Sequence, residues 1–206
     1  MTIKAIALNC TLKADPSEPS STDAMIAVLK AAFAKYQVTV TETVRVAALG
    51  IKPGVTSDEG PGDAWPALRS KILAHDILIF GGPIWLGQPS SVAKRVLERM
   101  DAFLDETDEQ GRMPSSGKVA VAAIVGNEDG AHASAAQLFQ ALNDVGWTIP
   151  PSGSCYWVGE AMGDVDFKDL KEAPDKTREA AALLASSAAH LANLLQATPF
   201  PGPGKG

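Results

Sequence analysis

Residues 77–91 decide the fold, and their sequence is ILIFGGPIWLGQPSS. The stretch Ile77 to Phe80 is a continuous apolar run, which is typical of a strand buried on both faces. The strand is predicted to end at Gly81-Gly82-Pro83, and Pro89 is predicted to start the next helix because its fixed φ suits the first helical position. That helix is marked by apolar residues at helical spacing: Val92, Val96, Met100 and Phe103. A buried strand, a loop and an amphipathic helix in this order indicate one unit of an α/β fold.

The same alternation of strand and helix runs along the rest of the chain. Four further strands are predicted at residues 3–8, 38–46, 119–125 and 154–158. Helical patterns follow Ser20-Ser21-Thr22, begin near Trp65, lead up to Gly146 and fill the stretch from Leu184 to Leu195. Five alternations predict a doubly wound, five-stranded parallel sheet with helices on both faces. One domain is expected over residues 1–197, followed by a Pro/Gly-rich tail at 198–206 without regular structure.

Composition excludes several classes of protein. The 206 residues are 46% hydrophobic, enough for one sizeable core, and their net charge is -6. An acidic chain lacks the basic surface of a nucleic-acid binder, so no nucleic-acid partner is expected. No apolar run approaches the roughly 18 residues that span a bilayer, and the apolar stretch near the start is too short for a signal peptide. The sequence therefore predicts a cytoplasmic protein with no membrane partner.

Metal-binding and catalytic side-chain patterns are not evident. The two cysteines, Cys10 and Cys155, cannot form a four-cysteine metal site. They are expected to be isolated buried thiols, although one bridge between them is an alternative. His75 and His190 have no metal-ligand spacing to another His, Cys or acid, and no Ser-His-Asp or Cys-His arrangement is found. The prediction is therefore no metal ligand and no catalytic side chain.

In a doubly wound sheet the ligand crevice lies outside the carboxyl ends of the strands. Three loops are predicted there: residues 9–22, 81–89 and 126–131. The first ends in Ser20, Ser21 and Thr22 at the start of a helix, where hydroxyls and unpaired N–H groups favour an anion such as phosphate. Lys13 adds a positive charge. The alternative is that one of the serines only caps the helix.

The second and third loops offer different surfaces to a ligand. Residues 83–87 expose apolar and aromatic groups, including Trp85, which suit a flat heterocycle; the alternative is a turn whose Trp85 packs inward. Residues 126–130 are polar and bounded by Gly126 and Gly130, which let the backbone approach a ligand closely. Asp129 is also expected to cap the next helix. His132 is expected to be a surface residue, with a place near the ligand as the alternative.

These loops together resemble those of the flavodoxin-like NADPH-dependent FMN reductase and quinone reductase family. The resemblance covers most of residues 3–197, and its most specific part is residues 82–91 followed by Lys94-Arg95 and the helix turn of Arg99. It departs from the family's usual pattern in its longer first loop, which carries Lys13 where arginine is frequent.

The resemblance implies which residues bind the cofactor FMN. The phosphate is expected to be held by Thr11, Lys13, Ser20, Ser21 and Thr22. The edge of the isoalloxazine ring is expected to be lined by Pro83, Ile84, Trp85, Leu86 and Gly87. Its other side is expected to be closed by Gly126, Asn127, Glu128, Asp129 and Gly130.

The resemblance also implies a flavodoxin-like fold and a function. The expected reaction takes hydride from NAD(P)H and reduces a quinone, a flavin or a similar small acceptor, in a homodimer or homotetramer. Two alternatives are a flavodoxin-type electron carrier that serves protein partners without NAD(P)H, and a module of the same fold that has lost its cofactor. The third loop lacks an aromatic cover for the flavin, which leaves room for a nicotinamide and favours the reductase.

Overall fold

A computed structural model describes residues 2–204. Within this range the chain forms six strands: β1 (Lys4–Asn9), β2 (Thr39–Arg45), β3 (Ile77–Trp85), β4 (Gln88–Pro89), β5 (Val119–Gly126) and β6 (Ser154–Val158). Five α-helices alternate with them: α1 (Ser21–Ala34), α2 (Trp65–Leu73), α3 (Ser91–Met100), α4 (Ala131–Asp144) and α5 (Asp175–Ala197). Short 3-10 turns lie at Val46–Ala48, Asp101–Leu104 and Phe167–Asp169.

Five of the strands form one parallel sheet in the order β2-β1-β3-β5-β6. The strand order reverses between β1 and β3, so their carboxyl ends open a crevice at this point of the doubly wound sheet. The predicted fold is therefore confirmed: the sheet is parallel, its order is flavodoxin-like, and helices cover both faces.

The alternation of side chains along the central strands supplies a core on each face of the sheet. Ile6 and Leu8 of β1 pack with apolar residues of α2, α3 and α4 on one face. Ala5 and Ala7, which point the other way, pack with α1 and α5. The small side chains of these alanines let α1 and the alanine-rich α5 pack close to this face of the sheet.

The region after Phe80 differs from the prediction. Strand β3 does not end at Gly81 but continues to Trp85, and then turns back into β4, which pairs antiparallel to it. Pro89 lies in β4, and α3 is instead capped by Ser90, whose Oγ accepts a hydrogen bond from the Ala93 N–H. The prediction missed the hairpin because Pro and Gly punctuate both hairpins and helix starts.

Two helix ends follow their sequence signals closely. Ser20 caps α1 in a capping box with Asp23, so the prediction that one of the serines caps this helix is confirmed. After α4, the Trp147 N–H bonds to the Leu142 carbonyl and the Gly146 N–H to that of Asn143. This is a Schellman ending, and Gly146 has the positive φ of +94° that it requires.

Helix α5 has the length and apolar composition of a membrane span, the single such helix within residues 2–204. A helix in a protein core passes the same test, and Leu184, Ala188 and Leu195 of α5 are buried against the sheet. We therefore interpret α5 as a core helix. Beyond it, residues 199–204 form neither helix nor strand, whereas 205–206 lie outside the described residues. The boundary between domain and tail stays a prediction.

Both thiols are free and buried, as expected for isolated cysteines. Burial raises the pKa of Cys155 to about 12 and raises that of Cys10 as well. The thiolate is the reactive form of cysteine, so neither side chain is suited to act as a nucleophile at neutral pH.

Candidate active site

A pocket of about 190 Å³ opens at the carboxyl ends of β1, β3 and β5, where the fold places a ligand crevice. Its lining joins the three predicted loops. From the predicted set it contains Thr11, Lys13, Ser20, Ser21, Thr22, Pro83, Ile84, Trp85, Gly126, Asn127 and Glu128. Leu86, Gly87, Asp129 and Gly130 are not part of the lining and lie beside it, where the hairpin meets the third loop.

Larger grooves lie elsewhere on the surface, but their chemistry is less specific. The groove between α1 and α5 has a volume of about 530 Å³ and a lining of mostly alanine. The groove between α3 and α4 has a volume of about 650 Å³. Neither lies at the carboxyl edge of the sheet or combines hydroxyls, a lysine and a helix N-terminus. We therefore assign the candidate site to the smaller pocket.

The first loop is shaped by a buried arginine from the neighbouring strand. Arg45, at the end of β2, donates hydrogen bonds to the carbonyl oxygens of Lys13, Asp15 and Glu18 at 3.1–3.4 Å. The same guanidinium pairs with Asp23 in the first turn of α1. These contacts explain how this long first loop holds a defined course.

Ser20 lines the pocket, but its hydroxyl already has all its partners. It donates to Asp23 Oδ2 at 2.8 Å and accepts from the Asp23 N–H and from Asn9 Nδ2, both at 3.1 Å. A serine hydroxyl offers one donor and two acceptors, so none remains for a phosphate. Of the predicted hydroxyls, those of Thr11, Ser21 and Thr22 remain as candidate phosphate ligands.

Lys13 also lines the pocket and is held by neighbours on its own loop. Its Nζ lies 2.8 Å from Glu18 Oε1 and donates to the Pro19 carbonyl at 3.0 Å. Both Lys13 and Glu18 are partly exposed, with side-chain exposures of 36% and 53%. An exposed pair of this kind is weak, so a phosphate can compete with Glu18 for Lys13.

The hairpin presents Trp85 at the pocket rather than burying it. Trp85 is 53% exposed and lines the pocket, in agreement with the functional interpretation and not with an inward-packed turn. The next residues, Leu86 and Gly87, have φ values of +50° and +74°, which are the signature of a two-residue type I′ turn. Leucine rarely adopts this conformation, and Leu86 is 90% exposed.

The third loop is fastened to the hairpin. Glu128 Oε1 accepts a hydrogen bond from the Leu86 N–H at 2.9 Å. A side chain on Gly130 would place its Cβ only 2.5 Å from Gly87 Cα, and one on Gly126 would place it 3.0 Å from Ile84. The glycines that bound this loop therefore make room for the hairpin, a reason that the sequence analysis did not anticipate.

Asp129 does not cap α4, contrary to the prediction. The helix begins after Gly130, and no side chain caps it. The Asp129 carboxylate instead accepts a hydrogen bond from the Gly130 N–H at 2.7 Å, one residue too early to serve as a cap. His132 is a surface residue, as expected; its Nε2 lies 3.0 Å from the Tyr156 hydroxyl, outside the pocket lining.

A fourth segment lines the pocket and was missed by the sequence analysis. It lies after β6 and contributes Asp166, Phe167 and Lys168, while β5 and β6 add Val125 and Trp157. Trp157 packs on the buried Phe167 with ring centroids 5.4 Å apart, which anchors the segment. The available signal was position alone, because the loop after β6 leaves the same edge of the sheet as the three predicted loops.

The donors around the pocket fit FMN. At one end, two lysines and the hydroxyls of Thr11, Ser21 and Thr22 surround the N-terminus of α1, an arrangement suited to a phosphate. At the other end, the exposed Trp85 borders the glycine-containing third loop, an arrangement suited to a flat ring. Small-molecule pockets commonly measure about 300–1,000 Å³, whereas this one encloses about 190 Å³, so part of a bound FMN would lie outside the enclosed volume.

Comparison with known proteins finds relatives that match nearly the whole chain. The chain is 31% identical over 210 residues to the 8-demethyl-8-aminoriboflavin-5'-phosphate synthase of Streptomyces davaonensis, covering 97% of this chain and 81% of that protein. It is 34% identical over 202 residues, 95% of its length, to the divalent metal cation transporter MntH of Mycobacterium bovis. It spans only 29% of the length of that relative.

Solved structures agree. RosB with the bound intermediate 8-demethyl-8-formylriboflavin-5'-phosphate has a TM-score of 0.85 and 30% identity, over 97% of this chain and 82% of that one. The apo form of the NADH:FMN oxidoreductase EMOB has a TM-score of 0.62 and 18% identity, over 98% and 97%, and shows the shared fold. The family model for NADPH-dependent FMN reductases matches residues 3–162 of this chain. The chain belongs to the NADPH-dependent FMN reductase family.

Proposed function

We propose that this protein is an FMN-dependent oxidoreductase that takes hydride from NAD(P)H and reduces a small acceptor such as a quinone or a flavin. The observation that carries the proposal is the convergence of three sequence-predicted loops on one pocket. This pocket has a phosphate-type donor set at one end and an exposed tryptophan at the other. Membership of the FMN reductase family supports the cofactor and the electron donor.

FMN, when bound, would supply the redox chemistry by which reducing equivalents pass from the nicotinamide to the acceptor. The chain's own residues bind and orient it. The N-terminus of α1 and its hydroxyls hold the phosphate, and Trp85 provides a flat surface beside the ring. The contact between Gly87 and Gly130 fixes the spacing of the second and third loops. This role requires no general acid or base among the described pocket residues.

The test is an anaerobic visible-absorbance titration of the FMN-loaded protein with NADPH and then with NADH. We expect rapid bleaching of the bound flavin by at least one donor, followed by recovery of the colour on addition of a quinone. A bound flavin that neither donor bleaches contradicts the proposal and favours the electron carrier. A protein that binds no flavin favours the cofactor-free module.

A second function is favoured by one observation, the likeness to proteins that modify a flavin. RosB matches this chain with a TM-score of 0.85, against 0.62 for the NADH:FMN oxidoreductase. In this case FMN is the substrate of the pocket and leaves it chemically altered. Incubation of FMN with the protein in air and with an amino donor, followed by mass spectrometry of the flavin, separates the two functions, because a reductase returns unmodified FMN.

We also propose that the protein forms a homodimer or homotetramer across the site. Exposed apolar side chains border the pocket on several segments: Leu12, Trp85, Leu86, Met162 and Val165. An apolar rim of this kind is typical of a surface that another molecule covers. Multi-angle light scattering is expected to give two or four times the chain mass of 21.5 kDa, and a monomer mass contradicts this.

Because NAD(P)H is an intracellular reductant, we also propose that the protein is located in the cytoplasm.

A further inference from the structure

The segment after β6 brings a second lysine to the phosphate end of the pocket. Lys168 lies in the 3-10 turn Phe167–Asp169, which packs against the start of α1. Its backbone N–H donates to Ser21 Oγ at 3.4 Å, so the turn meets the first residue of α1. Lys168 and Lys13 both line the pocket and approach it from opposite ends of the chain. Lys168 also lies beyond residues 3–162, the part of the chain that the family model matches.

The Lys168 ammonium is held by carboxylates that a ligand can replace. Its Nζ lies 2.9 Å from Asp166 Oδ2 and 2.7 Å from Asp169 Oδ2. The Lys168 side chain is 24% exposed, whereas those of Asp166 and Asp169 are about half exposed. Hydrogen bonds to Asp169 and Asp166 raise the pKa of Lys168, so it stays charged at neutral pH. Partly exposed pairs of this kind contribute little net free energy, so exchanging a partner costs little.

The cations near the α1 N-terminus differ in whether they are available to a phosphate. Arg45 cannot serve the phosphate, because it is committed to Asp23 and to three carbonyl oxygens of the first loop. A phosphate monoester carries a charge of about -1.5 to -2 near pH 7, which matches two lysines. We infer that Lys168 binds the phosphate of the flavin together with Lys13, and that it releases Asp166 and Asp169 when it does so. This inference rests on the proposed FMN site. Lys168 thereby contributes to the preference for FMN over riboflavin, which lacks the phosphate.

The test measures the dissociation constants of FMN and riboflavin by flavin fluorescence, without any turnover. For Lys168→Gln we expect FMN binding to weaken by about 10-fold or more, since hydrogen bonds to charged groups are among the strong ones. Riboflavin binding is expected to change by less than about twofold, because this flavin has no charge for Lys168 to meet. The matched control is Lys171→Gln, an exposed lysine three residues away that does not line the pocket and is expected to change neither constant.

A second variant separates phosphate binding from a structural role. If Lys168 binds phosphate, Asp169→Asn removes one of its two competing carboxylates, so FMN binding tightens while riboflavin binding is unchanged. If Lys168 only holds the turn in place, Asp169→Asn weakens both flavins, as does Lys168→Gln. Equal losses for the two flavins, or an unchanged FMN constant in Lys168→Gln, overturn the inference. A wild-type protein that does not bind FMN overturns the proposed function itself, before any variant is compared.

Discussion

Replacing Arg99 with methionine is expected to lower the free energy of unfolding by about 3–5 kcal/mol, the cost of breaking a buried ion pair by removing one partner. Arg99, in α3, is fully buried, and its Nη2 lies 2.8 Å from Oδ2 of the equally buried Asp63 side chain. Methionine leaves that carboxylate without its counter-charge. The melting temperature is expected to fall by roughly 10 °C, at about 2–4 °C for each kcal/mol in a domain of this size.

The pair matters because it fixes residues 50–63, a Gly- and Pro-rich loop that leaves the carboxyl edge of the sheet. Arg99 Nη1 donates to the Lys52 carbonyl at 3.2 Å, and Asp63 accepts hydrogen bonds from three backbone N–H groups, those of Lys52, Glu59 and Trp65. The matched control is Arg112→Met, which removes the partly exposed pair with Asp108 and is expected to cost less than about 1 kcal/mol. Equal losses for the two variants would contradict the importance of burial.

The same pair predicts a dependence of stability on acid. Burial alone raises the pKa of Asp63, but its three N–H donors and Arg99 outweigh this and lower the pKa from 3.8 to about 2. A carboxyl group with a lowered pKa in the folded state stabilises fully above its unfolded pKa, and this contribution is lost as the pH falls towards 2. Urea unfolding between pH 5 and 2.5 is expected to show this loss in the wild type, and a smaller one in Asp63→Asn.

Most of the fold could be predicted from local sequence signals, because these signals act within a few residues. Buried strands are continuous apolar runs, so β1 and β5 were placed to within one residue of their bounds. The hairpin was missed because Gly81-Gly82-Pro83 is a strand interruption in most contexts. Here Gly81 lets the strand continue, since a Cβ would lie 3.0 Å from Thr22 and Ile26 of the overlying α1. Contacts of this kind join residues about 60 positions apart and leave no local pattern.

The site could be predicted at the level of loops but not of individual side chains. Topology brings the carboxyl ends of neighbouring strands together and so indicated the three loops. The family resemblance named fifteen residues within these loops, and eleven of them line one pocket. Whether a given hydroxyl is free depends on its partners. Ser20 is already bonded to Asn9 and Asp23, and the sequence does not reveal this. The segment around Lys168 was missed because it carries no motif, and only its position after β6 connects it to the site.

The contact between the hairpin and the third loop leads to the second large effect, in Gly130→Ala. Gly130 has a φ of +129°, and an added Cβ would lie 2.5 Å from Gly87 Cα and 2.8 Å from its carbonyl carbon and oxygen. These are backbone atoms and cannot rotate away, so the hairpin that carries Trp85 must move. A displacement of about 1 Å can cost about 100-fold in rate when reacting groups need a fixed geometry. We therefore expect the bleaching of bound flavin by NAD(P)H to slow by about 100-fold.

Gly117→Ala separates this displacement from simple backbone strain. Gly117 also has a positive φ, +80°, but a Cβ there meets nothing within 4 Å, so alanine adds strain without moving a neighbour. Both variants are expected to lose about 1–2 kcal/mol of stability from the backbone conformation, whereas only Gly130→Ala weakens FMN binding and slows flavin reduction. If both variants reduce the flavin at the wild-type rate, the Gly87–Gly130 contact does not position the ring. If both slow it equally, the effect is one of general stability, because Gly117 lies outside the pocket lining.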